Sequence, residues 1–126
     1  MNIPENYQTV MVYLIIKDAK GFLNFTKDLF NAVELFVLNR ENGIIMHGEI
    51  KIGDTTIMFA ESTDEWSPRN AGFFIYVEDA DETYKKALEL GCTSLREPSD
   101  QEYGRSAGIQ DPYGNQWWPT SVLEQK

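Results

Sequence analysis

Residues 10–16, Val-Met-Val-Tyr-Leu-Ile-Ile, form an apolar run rich in β-branched and aromatic side chains that stops at Lys17-Asp18. That pattern predicts a mostly buried strand followed by a helix cap. From Asp18 onward Phe22, Phe25, Thr26, Leu29 and Phe30 recur at spacings of three and four, the stripe of a helix lying on a sheet. Asn31, a residue that tolerates the left-handed conformation, is expected to close it, and Ala32 to Leu38 to resume as a strand. Met46–Ile52 and Thr55–Glu61 are separated by Gly53-Asp54 alone, which predicts a two-residue hairpin turn with Gly first.

The same order then repeats. Gly72 to Val77 is an apolar strand, Asp79 an N-cap with Glu82 three residues on, Ala80, Thr83, Tyr84, Ala87 and Leu88 a second helical stripe, and Gly91 its stop. Asp18-Ala19 and Asp79-Ala80 lie 61 residues apart, and Phe30-Asn31-Ala32 and Leu90-Gly91-Cys92 lie 60 apart. Strand, cap, helix and stop therefore recur in phase, and each half reads as a βαβββ unit. Two such units predict an α+β, pseudo-twofold single domain over 1–126, with module 1 at about 8–62 and module 2 at about 72–121. Ser106–Gln110 and Gln116–Thr120 flank Asp111-Pro112-Tyr113-Gly114-Asn115, whose Pro and Gly suit a hairpin connection.

Composition narrows the chemistry. The chain has 126 residues, 42% hydrophobic, enough to bury a core, and a net charge of −9 that repels phosphate backbones and anionic membranes. No apolar run approaches the ~20 residues a bilayer span needs. The opening Met1-Asn2-Ile3-Pro4-Glu5-Asn6 has neither the positive flank nor the apolar stretch of a signal peptide, so the expectation is a cytoplasmic protein. With one His and one Cys, a site of several soft or borderline zinc ligands cannot be built, and metal chemistry would need carboxylates.

The paired modules, Asp-Pro-Tyr-Gly-Asn before the last strand and Phe-(x)3-Leu-Phe-Asn-Ala closing the first helix, resemble the vicinal oxygen chelate superfamily. That group holds glyoxalase I, bleomycin-resistance proteins, fosfomycin-resistance enzymes and extradiol dioxygenases. Val12-Tyr13-Leu14, Met46-His47-Gly48-Glu49 and Ile57-Met58-Phe59-Ala60-Glu61 look most like its PhnB-like branch. The resemblance covers about residues 8–121 and implies a curved, mixed eight-stranded sheet around a cavity with the helices outside, often as a homodimer. It also implies a divalent metal held by His and Glu from the first strand and a late strand of each half. Counting from the caps puts Val12 and Phe73 (or Gly72) at the first-strand positions, with Trp118 and Met58 at the late ones. At least three of the four are apolar, so a metal-dependent lyase, isomerase or dioxygenase is disfavoured.

The two-residue turn sets Glu49 opposite Met58 and separates two faces: Ile50, Ile52, Ile57 and Phe59 for the helices, and His47, Glu49, Lys51, Thr56, Met58 and Ala60 for the cavity. In the implied fold Val12 and Trp118 stand close by. His47 is the one side chain whose ordinary titration falls near neutrality. It reads as a half-exposed strand histidine, as a donor to a ligand, or as a metal ligand or general base. Glu49, ranked ahead of Glu61 by its face, is a candidate anchor for a cation. Of the adjacent pair Trp117 and Trp118 only one can face the cavity, and Trp118 is chosen. Arg105, in the polar loop Tyr103-Gly104-Arg105 before the seventh strand, reads as a solvated loop arginine or as a gate or carboxylate binder. Cys92 reads as buried and unreactive.

The resulting expectation is a metal-free binding protein that sequesters a cationic or aromatic small molecule, as bleomycin-resistance proteins sequester a drug. The alternative is a glyoxalase-like metal-dependent lyase or transferase built around His47.

Overall fold

A computed structural model describes residues 1–123 of the chain, which divides into two compact units, residues 1–70 and the chain from Ala71 on. In the first unit, β1 (Val12–Ile16) leads into α1 (Ala19–Phe30), followed by β2 (Val33–Asn39), β3 (Ile45–Ile52) and β4 (Thr55–Glu61). The second repeats the order with β5 (Gly72–Tyr76), α2 (Ala80–Glu89), β6 (Thr93–Gln101), β7 (Gly104–Gln110) and β8 (Gln116–Ser121). The strands form two four-stranded sheets, ordered β1-β4-β3-β2 and β5-β8-β7-β6. Each is mixed, because the first strand of its unit runs parallel to the last and the other pairings are antiparallel.

The caps follow from local chemistry. Asp18 sits at the N-terminus of α1 with its side chain accepting from the Gly21 N–H, and Asn31 closes the helix in the left-handed region at φ +55°. Asp79 does the same at α2, accepting from the Glu82 N–H. The β3–β4 turn opens on Gly53 at φ +58°, and its register sets Glu49 opposite Met58 and Gly48 opposite Phe59. Leu14, Ile16, Ile50 and Phe59 are fully buried beneath Phe22 of α1, whose ring meets Phe59 edge-on at 5.2 Å.

The second unit is least regular at β6. This strand contains Pro98, is irregular in register between Ser94 and Ser99, and pairs through Asp100↔Arg105 and Gln101↔Gly104. It is an edge strand, where a residue without an N–H is tolerated. Arg105 therefore lies within β7, not in a loop before it. Among the described residues no helix is long and apolar enough to cross a membrane.

Candidate functional site

β1 runs beside β4 with Tyr13 aligned to Met58 and Val12 to Ile57. Strand partners at one register share a face, so Tyr13 joins His47, Glu49 and Met58, while Val12 falls on the face that packs against α1. This corrects the expected place of Val12. On the shared face the Tyr13 hydroxyl lies 3.2 Å from His47 Nδ1, His47 Nε2 lies 2.8 Å from Glu49 Oε2, and the Tyr7 hydroxyl donates to Glu49 Oε1 at 2.5 Å. An ionised Glu49 only accepts, so Nε2 carries the proton donated to it, and in the neutral imidazole Nδ1 accepts from Tyr13.

Glu49 is buried, 6% exposed. Burial, the largest single influence, pushes its carboxyl upward, but the hydrogen bonds from Tyr7 and His47 together outweigh it and hold the group below the ordinary carboxylate range. The Tyr7 phenol is pushed up, chiefly because it donates to that carboxylate.

Tyr7 belongs to a short N-terminal strap laid across this face of β3 and β4. Asn6, at φ +73°, takes a hydrogen bond from the Thr56 hydroxyl on its carbonyl and another from Lys51 Nζ on Oδ1 at 2.9 Å. Gln8 Oε1 accepts from the Thr56 N–H at 3.2 Å.

Beside Tyr13 opens a pocket of about 450 Å³. Its apolar wall is Ile15, Met46 and Ala60; Tyr13 and Trp66 supply aromatic surface, and Arg40, Glu61 and Thr63 the polar groups. The loop carrying Trp66 is closed by Thr63 N–H to Trp66 O and Trp66 N–H to Thr63 Oγ1, both at 2.9 Å, and is tied to β1 through reciprocal Ile15 and Arg69 backbone bonds. Glu61 is not free to bind a ligand ion as a bare carboxylate: its two oxygens accept from the Asp18 and Ala19 backbone N–H groups, each at 2.9 Å, and so hold the N-terminus of α1.

In the second unit, Trp117 is buried and stacks on Phe73 at 4.2 Å, and its indole N–H donates to Asp111 Oδ2 at 2.8 Å. Phe73 is thereby a packing residue of the Trp117 face, a second correction. Asp111 also accepts from the Tyr113 and Asn115 backbone N–H groups and from Asn115 Nδ2, so the Asp-Pro-Tyr-Gly-Asn segment is a hydrogen-bonded turn that fixes β8. Trp118, aligned with Phe74, points to the other face. Its ring lies over Gly108, where an added Cβ would be 2.4 Å from it, and the Arg96 guanidinium sits 5.2 Å from its centroid. That cation occupies the surface expected to be offered to a ligand. Arg105 is spent on Asp81, at 2.7 and 3.0 Å, and on Asp100 at 3.1 Å, which ties β7 to the first turn of α2.

The family model of the Glyoxalase/Bleomycin resistance protein/Dioxygenase superfamily matches residues 8–118. The chain belongs to this superfamily. An uncharacterized protein of Mycobacterium bovis is 26% identical over 117 residues, covering 83% of this chain and 77% of its own length. Two solved structures show the same fold. A PhnB protein from Bacillus cereus superposes with a TM-score of 0.72 at 15% identity, over 91% of this chain and 100% of that one. TnmS3, an antibiotic binding protein from Streptomyces sp. CB03234, does so with a TM-score of 0.70 at 17% identity, over 93% and 100%.

Superfamily enzymes place a divalent metal on His and Glu side chains, a ligand set that the described residues of this chain do not fit. Of the four positions the resemblance implied, Met58 and Trp118 share faces with Tyr13 and Phe74, Val12 and Phe73 lie on the packing faces, and none is a His or Glu. Among the described residues no three His, Cys, Asp or Glu side chains gather, and His47 and Glu49 are already bonded to each other. Sequence reasoning passed over Tyr7, Tyr13 and Arg40. The signal for Tyr13 lay in the β1–β4 register; nothing local marked Tyr7.

Proposed function

We propose that this superfamily member is a metal-free small-molecule binding protein that holds an aromatic or cationic compound without transforming it. The observation that carries the reading is the pocket of about 450 Å³ in the first unit, walled by Tyr13 and Trp66 over an apolar floor. That is the size and lining of a site for a drug-sized ligand. Aromatic character has the stronger support of the two, because Glu49 and Glu61, the carboxylates expected to attract a cation, are committed to internal hydrogen bonds. The likeness to an antibiotic binding protein accords with sequestration. The reading includes a cytoplasmic location, no nucleic-acid partner and a homodimer, whose state light scattering would measure.

A second reading, a lyase or transferase around His47, is favoured by one observation: the hydrogen-bonded series Tyr13, His47, Glu49 ends at the pocket wall and has the form of an acid–base relay. One experiment separates the two. The protein is purified without chelator, soaked in nickel, zinc and manganese, and its metal content measured beside His47→Ala, while aromatic compounds are titrated by Trp fluorescence. Saturable quenching without stoichiometric metal is the expected result. One metal per chain, lost in His47→Ala, would overturn it in favour of the enzyme.

A further inference from the structure

We infer that the pocket beside Tyr13 selects flat aromatic compounds that carry an anionic group, a carboxylate or another planar oxyanion, and that Arg40 is the residue that reads it. The inference rests on the binding reading above and narrows it to one ligand class.

Arg40 carries a charge not yet spent. The chain has four arginines. Arg69 donates to Ser67 and the Pro68 carbonyl, Arg96 donates to the Tyr103 hydroxyl and lies on Trp118, and Arg105 is held by two aspartates. Arg40 lines the pocket, and its guanidinium has no hydrogen-bond or ion-pair partner among the described residues. Its backbone is nonetheless fixed: the Arg40 N–H donates to the Ile44 carbonyl at 2.8 Å and its own carbonyl accepts from the Gly43 N–H at 2.9 Å. Gly43, at φ +80°, makes that tight turn possible. The base of the side chain is thus set in place while its five donors remain available.

The opposing charge is already compensated. Glu61 on the same pocket accepts two backbone N–H groups at the N-terminus of α1, the positive end of a twelve-residue helix. What remains for a ligand is a cation with fork-like donors beside aromatic surface, the geometry that matches a planar oxyanion on a flat ring. The net charge of −9 does not oppose this, since charges beyond about 8 Å are screened at physiological ionic strength whereas a direct contact is not.

The test uses three probes of one shape: naphthoate, its neutral amide naphthamide, and naphthylmethylammonium, each titrated calorimetrically into the full chain. Naphthoate is expected to bind about tenfold or more tightly than naphthamide, as a charge-assisted contact requires, and the ammonium to bind weakest. Arg40→Gln should bring naphthoate to within about twofold of the amide. Trp66→Leu should weaken all three. Equal binding of acid and amide, a preference that survives Arg40→Gln, or tightest binding of the ammonium overturns the inference while leaving aromatic binding intact. Failure of every probe to bind overturns both.

Discussion

Glu61 separates a structural carboxylate from a ligand-binding one, and the magnitude can be worked from its two hydrogen bonds. Glu61→Ala removes the acceptors of the Asp18 and Ala19 N–H groups. Hydrogen bonds to a charged group contribute about 1.5–3 kcal/mol each. Ala19 is fully buried, so its N–H has no water to turn to, whereas Asp18 is exposed and recovers most of its loss. The net cost is about 2 kcal/mol. α1 has twelve residues, too few to persist without its contacts, so the loss is felt by the unit as a whole. At ~4 °C per kcal/mol for a chain of this size, the melting midpoint should fall by about 8 °C. Glu61→Gln keeps one acceptor oxygen and should lose about half as much. Circular dichroism melts at neutral pH, with naphthylmethylammonium titrations beside them, give the answer. If Glu61→Ala melted within about 1 °C of wild type yet lost the probe, the carboxylate would belong to the ligand and not to the helix.

Three further outcomes are expected. The Glu49 carboxyl is held below its ordinary value of 4.5, so its stabilising contribution is present above that pH and lost as pH falls through the lower folded value; Tyr7→Phe should flatten this acid-side decline in urea midpoint, and an unchanged slope would contradict the network. Gly48→Ala places a Cβ 2.4 Å from the Phe59 ring, which Phe22 pins, and should cost about 1–3 kcal/mol in urea unfolding; Gly72→Ala, with nothing within 4 Å, is the control that should not. Burial, with Asp111 nearby, pushes the Cys92 thiol up to about 12, so thiol reagents at mildly alkaline pH should label it only after denaturation, and rapid labelling of the folded chain would refute that.

The helices were legible because their signals are local: Asp18, Asn31 and Asp79 cap the turns they begin or end. The β3–β4 hairpin was legible for the same reason, since a two-residue turn leaves one register and so assigns His47 and Glu49 to one face. Val12 and Phe73 were misplaced because the face of β1 or β5 is decided by its parallel partner about forty-five residues away, and one step of register exchanges Val12 for Tyr13 and Phe73 for Phe74. β6 was obscure because Pro98 and its irregular register break the alternation that marks a strand. The roles of Glu61 and Arg105 needed the positions of α1 and α2, which no window of sequence around either residue contains.

The strap of Asn6, Tyr7 and Gln8 bears on the order in which the chain is made. These residues are synthesised ahead of the strands they rest on, for the groups they bind, on Glu49, Lys51 and Thr56, are 42 to 50 residues further along. Until β3 and β4 emerge and close, the strap has no surface to rest on, and the Glu49 carboxylate that it covers cannot yet be desolvated. Its docking is therefore a late step in the biogenesis of the first unit, and the Tyr7 contact is a built-in marker that the hairpin has reached its register.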